Sequence, residues 1–286
     1  MKGWRLNIAL FLLTVLSTLI AGSYYIVDYD LFREFPKYFI TGLVKGIPFS
    51  IPLLIILGAH EFAHYINSRR HGVEATLPFF IPFPNLFGTL GAVIKMKSRI
   101  LDRRALIDIG ASGPLTSFVL SVIACAVGLS LSQAEALRPL KPGDTLLGGS
   151  LLYSYMLDTF VHADLTKVTV NLHPIAVAGW VGLFVTSINL MPVGQLDGGH
   201  VAYAFFGKWH RTISRVFILV LALMGLIFPG WLMWAALLFF LLGTKHPPVE
   251  DPSLPLDFKR KFIGFASLVI FIVTFPPVPV YIYFPG

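Results

Sequence analysis

The sequence predicts an all-α polytopic membrane protein of six or seven transmembrane helices with a small membrane-associated β-sheet. Three observations support this. Hydrophobic residues make up 56% of the 286-residue chain and charged residues 13%, with a mean hydropathy of +0.76, far from the composition of a soluble domain. Apolar runs near the length that a bilayer demands recur along the chain. One further apolar run is interrupted by prolines and glycines too often to be a helix.

The first run, residues 6–27, follows Lys2 and Arg5 and fits either a signal peptide or a retained anchor. Its length and the poor cleavage sequence Leu19-Ile20-Ala21 favour the anchor. The second, 39–67, contains Pro48 and Pro52 and is expected to kink. Spans follow at 106–131, 174–191 and 213–228. The run 231–242 is short for a crossing and starts just after Pro229-Gly230, a hairpin signal, so the count is six or seven. The last span covers 262–283. Residues 77–97 are apolar but broken by Pro78, Pro82, Pro84, Gly88 and Gly91. They read as a strand over 89–96 in a re-entrant or interfacial sheet, or as a membrane-surface loop with aromatic anchors. The longest polar connection, 132–170, holds a candidate interfacial helix over 151–161.

Most of the 22 lysines and arginines fall on one side if the spans alternate, which places the N-terminus in the cytoplasm. The net charge of +7 then faces anionic headgroups, not nucleic acid, because no basic stripe interleaves with aromatics in a soluble module. The single cysteine, Cys125, excludes an internal disulfide and a cysteine-based zinc ribbon. Without internal repeats or a long soluble stretch, residues 1–286 read as one membrane-embedded domain.

His60, Glu61 and His64 stand as H-E-F-A-H behind the apolar run 51–59. An ionisable group in hydrocarbon costs about 3 kcal/mol or more, so such groups usually persist for function. Residues i and i+4 share a helix face, which aims both imidazoles at one zinc ion and leaves Glu61 beside it as a general base. A polar cluster packing helices together is the bland alternative. A catalytic zinc takes three protein ligands, so a third must come from elsewhere. The span 174–191 ends in Asn189-Leu-Met-Pro-Val-Gly-Gln-Leu-Asp-Gly-Gly199, which offers Asp197 at similar depth. Alone, Asp197 reads as a cap for the helix starting near His200; beside H-E-F-A-H it reads as the third ligand. Gly198-Gly199 is expected to let the backbone approach the metal.

These paired motifs resemble the site-2 proteases, intramembrane zinc metalloproteases with an H-E-x-x-H helix and a downstream N-x-x-P-x-x-x-L-D-G sequence, matched here at His60–His64 and 189–198. Residues 88–93, Gly113-Pro114 and 246–252 are further family-like stretches, and the similarity covers roughly 46–257 without the PDZ insert or an appended CBS module. The resemblance implies one Zn2+ held by His60, His64 and Asp197, with Glu61 as general base, and cleavage of transmembrane segments of membrane-protein substrates within the lipid bilayer. It also implies that Asn189 contacts substrate backbone or oxyanion, with capping or helix packing as the alternative. Gly88, Thr89, Leu90, Gly91, Ala92 and Val93 would pair with an extended substrate. The expected setting is a prokaryotic cell membrane with the zinc site nearer the cytoplasm; the oligomeric state is open.

A metal-ion transporter and a catalytically inactive membrane-protein-binding relative are the rival readings. The former lacks an inverted repeat, and the latter would not need Glu61 with all three ligands. Elsewhere, His71 reads as an interfacial residue beside two arginines. His200 reads as a helix-start residue before a fourth ligand, and His162, His173, His210 and His246 have no partner at ligand spacing. Gly110-Ala-Ser-Gly-Pro114 and Gly179-Trp-Val-Gly182 read as tight helix contacts.

Overall fold

A computed structural model describes residues 3–25, 35–137, 139, 145–164 and 167–283. Helices dominate it. Helix α1, Gly3–Tyr24, lies against α2, Phe35–Arg70, which runs unbroken through Pro48 and Pro52. Small residues set this contact: a Cβ on Gly22 would stand 2.6 Å from the Gly46 carbonyl oxygen, and one on Gly46 would collide with the Leu19 backbone. A buried hydrogen bond of 2.6 Å between Thr18 Oγ1 and Ser50 Oγ joins the same pair, a substitute for water where hydrocarbon offers none.

Helix α3, Arg103–Ser130, starts at Asp102, whose carboxylate accepts from the amides of Arg104 and Ala105. It is the centre of the molecule and touches α2, α5 (Pro174–Asn189) and α6 (Asp197–Phe206). Gly179 and Gly182 of α5 face Cys125 and Ser121 of α3, where any Cβ would clash, so this glycine pair does mark a close helix contact. Around this centre pack α4 (Leu151–Val161), α7 (His210–Met224), α8 (Gly230–Leu237, continued by a π-helical turn over Leu238–Leu242) and α9 (Phe258–Thr274). Helix α4 buries Tyr153 and Met156 against α3 and α5 while Leu151 and Tyr155 stay exposed. The preceding Arg138 and residues 140–144 lie outside the described residues.

Strand content departs from the single expected sheet. Three separate antiparallel pairs form: β1 (Phe79–Pro82) with β2 (Thr89–Val93), β3 (Gln133–Ala136) with β5 (Val168–Asn171), and β4 (Thr145–Leu147) with β6 (Val280–Ile282). β2 is shorter than the expected 89–96, and Met96 instead makes an isolated bridge to Ala75. β6 corrects the last span, which ends at Thr274: Pro276, Pro277 and Pro279 lack the amides a helix needs, and the apolar residues after them form a strand. Three helices, Trp4–Tyr24, Phe39–Arg70 and Arg103–Ser130, are long and apolar enough to cross a bilayer, while Pro174–Asn189 and Gly230–Leu242 are shorter apolar helices. The chain is an integral membrane protein.

Three helix ends are tied at one depth. Asp108 of α3 accepts from Arg260 Nε at 3.0 Å and Nη2 at 2.5 Å, and lies 3.0 Å from His71 Nε2 just past α2. Arg260 also reaches Asp257, the N-cap of α9. His71 therefore holds the Asp108 carboxylate by a hydrogen bond and is not merely a neighbour of Arg69 and Arg70.

Candidate metal centre

One turn of α2 sets His60 above His64, and their Nε2 atoms are 3.0 Å apart. Asp197, the first residue of α6, brings Oδ2 to 3.2 Å from both. Both histidines are buried. Asp197 does not cap α6, whose N-cap is Leu196, so its carboxylate is free to face the imidazoles.

The outer nitrogens decide what the inner ones can do. His64 Nδ1 is 2.8 Å from the Ile109 carbonyl, which only accepts, so Nδ1 carries the hydrogen. His60 Nδ1 is 3.0 Å from Ser117 Oγ, and that hydroxyl has the Gly113 carbonyl and Thr186 Oγ1 as acceptors for its own hydrogen. Each ring then presents a bare Nε2 lone pair inward. Two imidazole lone pairs and a carboxylate oxygen converging with no hydrogen between them repel one another unless a cation sits among them. Their separations also suit a tetrahedral shell, whose ligand atoms lie about 3.3 Å apart for bonds of about 2.0 Å. The donor set fits a metal ion.

Helix α3 makes room for this centre. A Cβ on Gly113 would land on the His64 ring, so only glycine allows α3 to pass so close. Gly198 and Gly199 play a different part from the expected one. Side chains there would strike the Leu190 backbone and the carbonyls of Val193 and Gly194, so these glycines seat α6 on the preceding turn and leave the metal site to Asp197. Pro192 lies in that turn, after α5 stops at Asn189.

Glu61 is buried, its Oε1 4.0 Å from His60 Nε2, and faces the amide of Ile94 just beyond β2. Asn189 Nδ2 is 3.4 Å from His60 Nε2, so the last turn of α5 borders the site. The strand candidates divide. Gly88 packs on α1, where its carbonyl accepts from Ser17 Oγ at 2.5 Å, and Thr89 is buried with its hydroxyl donating to the Ile81 carbonyl. Leu90 and Val93 are exposed, Ala92 is half-buried, and Gly91 adopts φ of 101°. β1 occupies one edge of β2, and the other edge carries no strand among the described residues.

Sequence reasoning missed the supports. Ser117, Thr186 and the Ile109 carbonyl carry no motif; only the smallness of Gly113 pointed there. It also missed the partners of His246, whose Nε2 lies 2.6 Å from His200 Nδ1 and whose ring stacks on Tyr203 at 4.3 Å, beside His210. Burial pushes the His246 imidazole down to about 3, so it is neutral there. His200 contacts His246 and lies outside the group of His60, His64 and Asp197 whose ligand atoms converge. His162 ends α4 in the left-handed region and His173 caps α5.

Comparison with known proteins gives the same grouping. The sequence is 33% identical over 237 residues to a probable zinc metalloprotease, EGY1, chloroplastic, of Arabidopsis thaliana, covering 82% of this chain and 43% of the relative. It is 28% identical over 236 residues to the probable zinc metalloprotease EGY2 of the same plant, covering 80% and 41%. It is 30% identical over 247 residues to the probable zinc metalloprotease EGY3 of Oryza sativa subsp. indica, covering 81% and 42%. The chain thus spans less than half the length of these curated relatives. A family model matches residues 48–229, a stretch that contains both the His60–His64 turn and Asp197, and the chain belongs to Peptidase family M50.

Proposed function

We propose that the chain is an intramembrane zinc endopeptidase that hydrolyses peptide bonds in or near transmembrane segments of membrane-protein substrates. The observation that carries the reading is the convergence of His60 Nε2, His64 Nε2 and Asp197 Oδ2 at 3.0 to 3.2 Å beside the buried Glu61. Two imidazoles and a carboxylate are a donor set for zinc, and the names of the relatives are those of zinc metalloproteases. Zinc in such a site supplies Lewis acidity and brings the ionisation of water toward neutral pH.

The chain's own residues do the rest. His60 and His64 are fixed as neutral Nδ1–H tautomers by Ser117 and the Ile109 carbonyl, so they do not compete for the proton that hydrolysis releases. Glu61 takes that proton and returns it to the leaving amine, from a buried position where few waters compete. Asn189, at the rim of the site, donates through Nδ2 to the substrate carbonyl as charge grows on it. A helical substrate must first give up its internal hydrogen bonds. The uncovered edge of β2, with the side chains of Leu90 and Val93 exposed, can replace them.

We read the chain as a single domain of six or seven crossings whose N-terminus lies on the cytoplasmic side, from the distribution of its basic residues. Purified wild type and Glu61→Gln, each with zinc counted, test the enzyme reading on a model transmembrane substrate. The expected result is cleavage by the wild type alone at equal zinc content. Cleavage by the variant would remove Glu61 from the chemistry, and absence of zinc from both would remove the metal centre.

A further inference from the structure

A second site lies outside the metal centre. Helix α7 carries Arg211 and Arg215 one turn apart, and Lys245 stands across from them after the π-helical turn. With Gln195, Phe239 and Leu242 these residues line a cavity of about 400 Å³. All three cations are exposed, and among the described residues none of their side chains makes an ion pair or hydrogen bond. Three uncompensated positive charges in one hollow repel one another and attract an anion.

The surroundings say what kind of anion. Along α7 beyond Arg215, Val216, Leu219 and Leu223 are exposed, and across the cavity Phe239 and Phe240 are exposed too. In a membrane protein such surfaces face acyl chains. The cavity therefore sits where the apolar belt gives way to charge, the depth of lipid headgroups, with an apolar wall directly beside the cations. Free phosphate would use the cations and leave that wall unused; an amphiphile uses both.

We propose that this cavity binds the headgroup of an anionic phospholipid, with Arg211, Arg215 and Lys245 on the phosphate and the acyl chains along α7 and Phe239. The site also touches the turn that delivers Asp197. Gln195 lines the cavity, Ser214, between the two arginines, donates to the Pro192 carbonyl and accepts from the Gly194 amide, and a Cβ on Gly194 would stand 2.6 Å from the Gly243 carbonyl oxygen. A headgroup drawing Lys245 toward α7 would press the 243–245 segment onto that turn and hold Asp197 in place.

Native mass spectrometry of the 286-residue chain in neutral detergent tests this, with phosphatidylglycerol and phosphatidylcholine of matched acyl chains as probes. A charge near an anionic headgroup is worth about five-fold in affinity, so R211Q/R215Q/K245Q should bind phosphatidylglycerol about 100-fold more weakly than wild type. The charge-keeping R211K/R215K/K245R should bind within about three-fold of wild type, and R69Q/R70Q, which removes two exposed cations elsewhere, should bind as wild type. Equal retention of phosphatidylcholine, undiminished phosphatidylglycerol in the triple glutamine variant, or displacement of the lipid by equimolar inorganic phosphate would each overturn the proposal.

Discussion

At the scale of single residues, the metal centre depends on groups that never touch the metal. Ser117 fixes which nitrogen of His60 bears hydrogen, and the Ile109 carbonyl does so for His64. Loss of such a support typically weakens metal binding by about 10- to 100-fold. Ser117→Ala should therefore fold normally yet surrender zinc to a competing chelator at a concentration lower by about that factor. Zinc retention equal to wild type would show that the Ser117 tie does not orient the ring. The ligand spacing was legible in the sequence because i and i+4 on a helix admit one geometry, and Asp197 only because H-E-F-A-H calls for a third ligand, since alone it reads as a helix cap. Ser117 was not legible: a serine in a membrane helix satisfies itself on a preceding carbonyl as readily as it holds a neighbour, and only the fold distinguishes the two.

At the scale of elements, β2 is the part whose role reaches furthest beyond its length. It pairs with β1 through Phe79↔Val93 and Phe80↔Ala92, lies just ahead of the amide that faces Glu61, and leaves its outer edge uncovered among the described residues. Ala92→Pro should lower cleavage of a transmembrane substrate by about ten-fold or more, in line with loss of two or so backbone hydrogen bonds, while leaving bound zinc unchanged. Full cleavage by a folded Ala92→Pro protein would argue against edge pairing. The helix start at Pro174 was legible, while the span read from 106 starts three residues earlier, at Arg103, behind an Asp102 cap that polar residues before an apolar run disguised. The strands β3 and β5 were not, because Gln133–Ala136 and Val168–Asn171 alternate over only four residues each, too short a run to read, and Gln133–Ala136 is exposed on both faces. β6 was hidden for the opposite reason: apolar residues on both sides of Pro276-Pro277 read as one span.

At the scale of the molecule, apolar surface is turned outward. Leu226, Phe240, Leu241 and Ile40 are more than three-quarters exposed, while Thr14, Thr18, Ser50, Ser121 and Ser214 are buried, the arrangement expected when the surrounding solvent is hydrocarbon. The core is built from helix contacts around α3, with apolar clusters about Phe49 and Trp180, about Leu106 and Ile107, and about Trp231 and Met191, so apolar packing joins the helices over a far larger area than the metal centre does. Removing zinc should therefore leave helical circular dichroism intact in detergent and lower the unfolding temperature. A ligand at a thousand times its Kd contributes about 4 kcal/mol, which sets the scale of that shift. Loss of helix on chelation would mean that the metal organises the fold itself. That the chain would form a membrane bundle was legible from composition; that its centre is α3 was not, since seven apolar runs of similar character carry no label of which lies inside.

The position of the metal ligands along α2 has a consequence for the products. His64 stands six residues before Arg70, the last residue of the helix, a rise of about 9 Å, whereas the helix extends much further in the other direction. Under the proposed function, a bond cut at that depth would divide a transmembrane substrate unequally. One fragment would keep most of its apolar segment and stay in the bilayer; the other would leave on the Arg69-Arg70 side with a stub of a few apolar residues, short enough to dissolve, so a single scission would turn an anchored domain into a diffusing one.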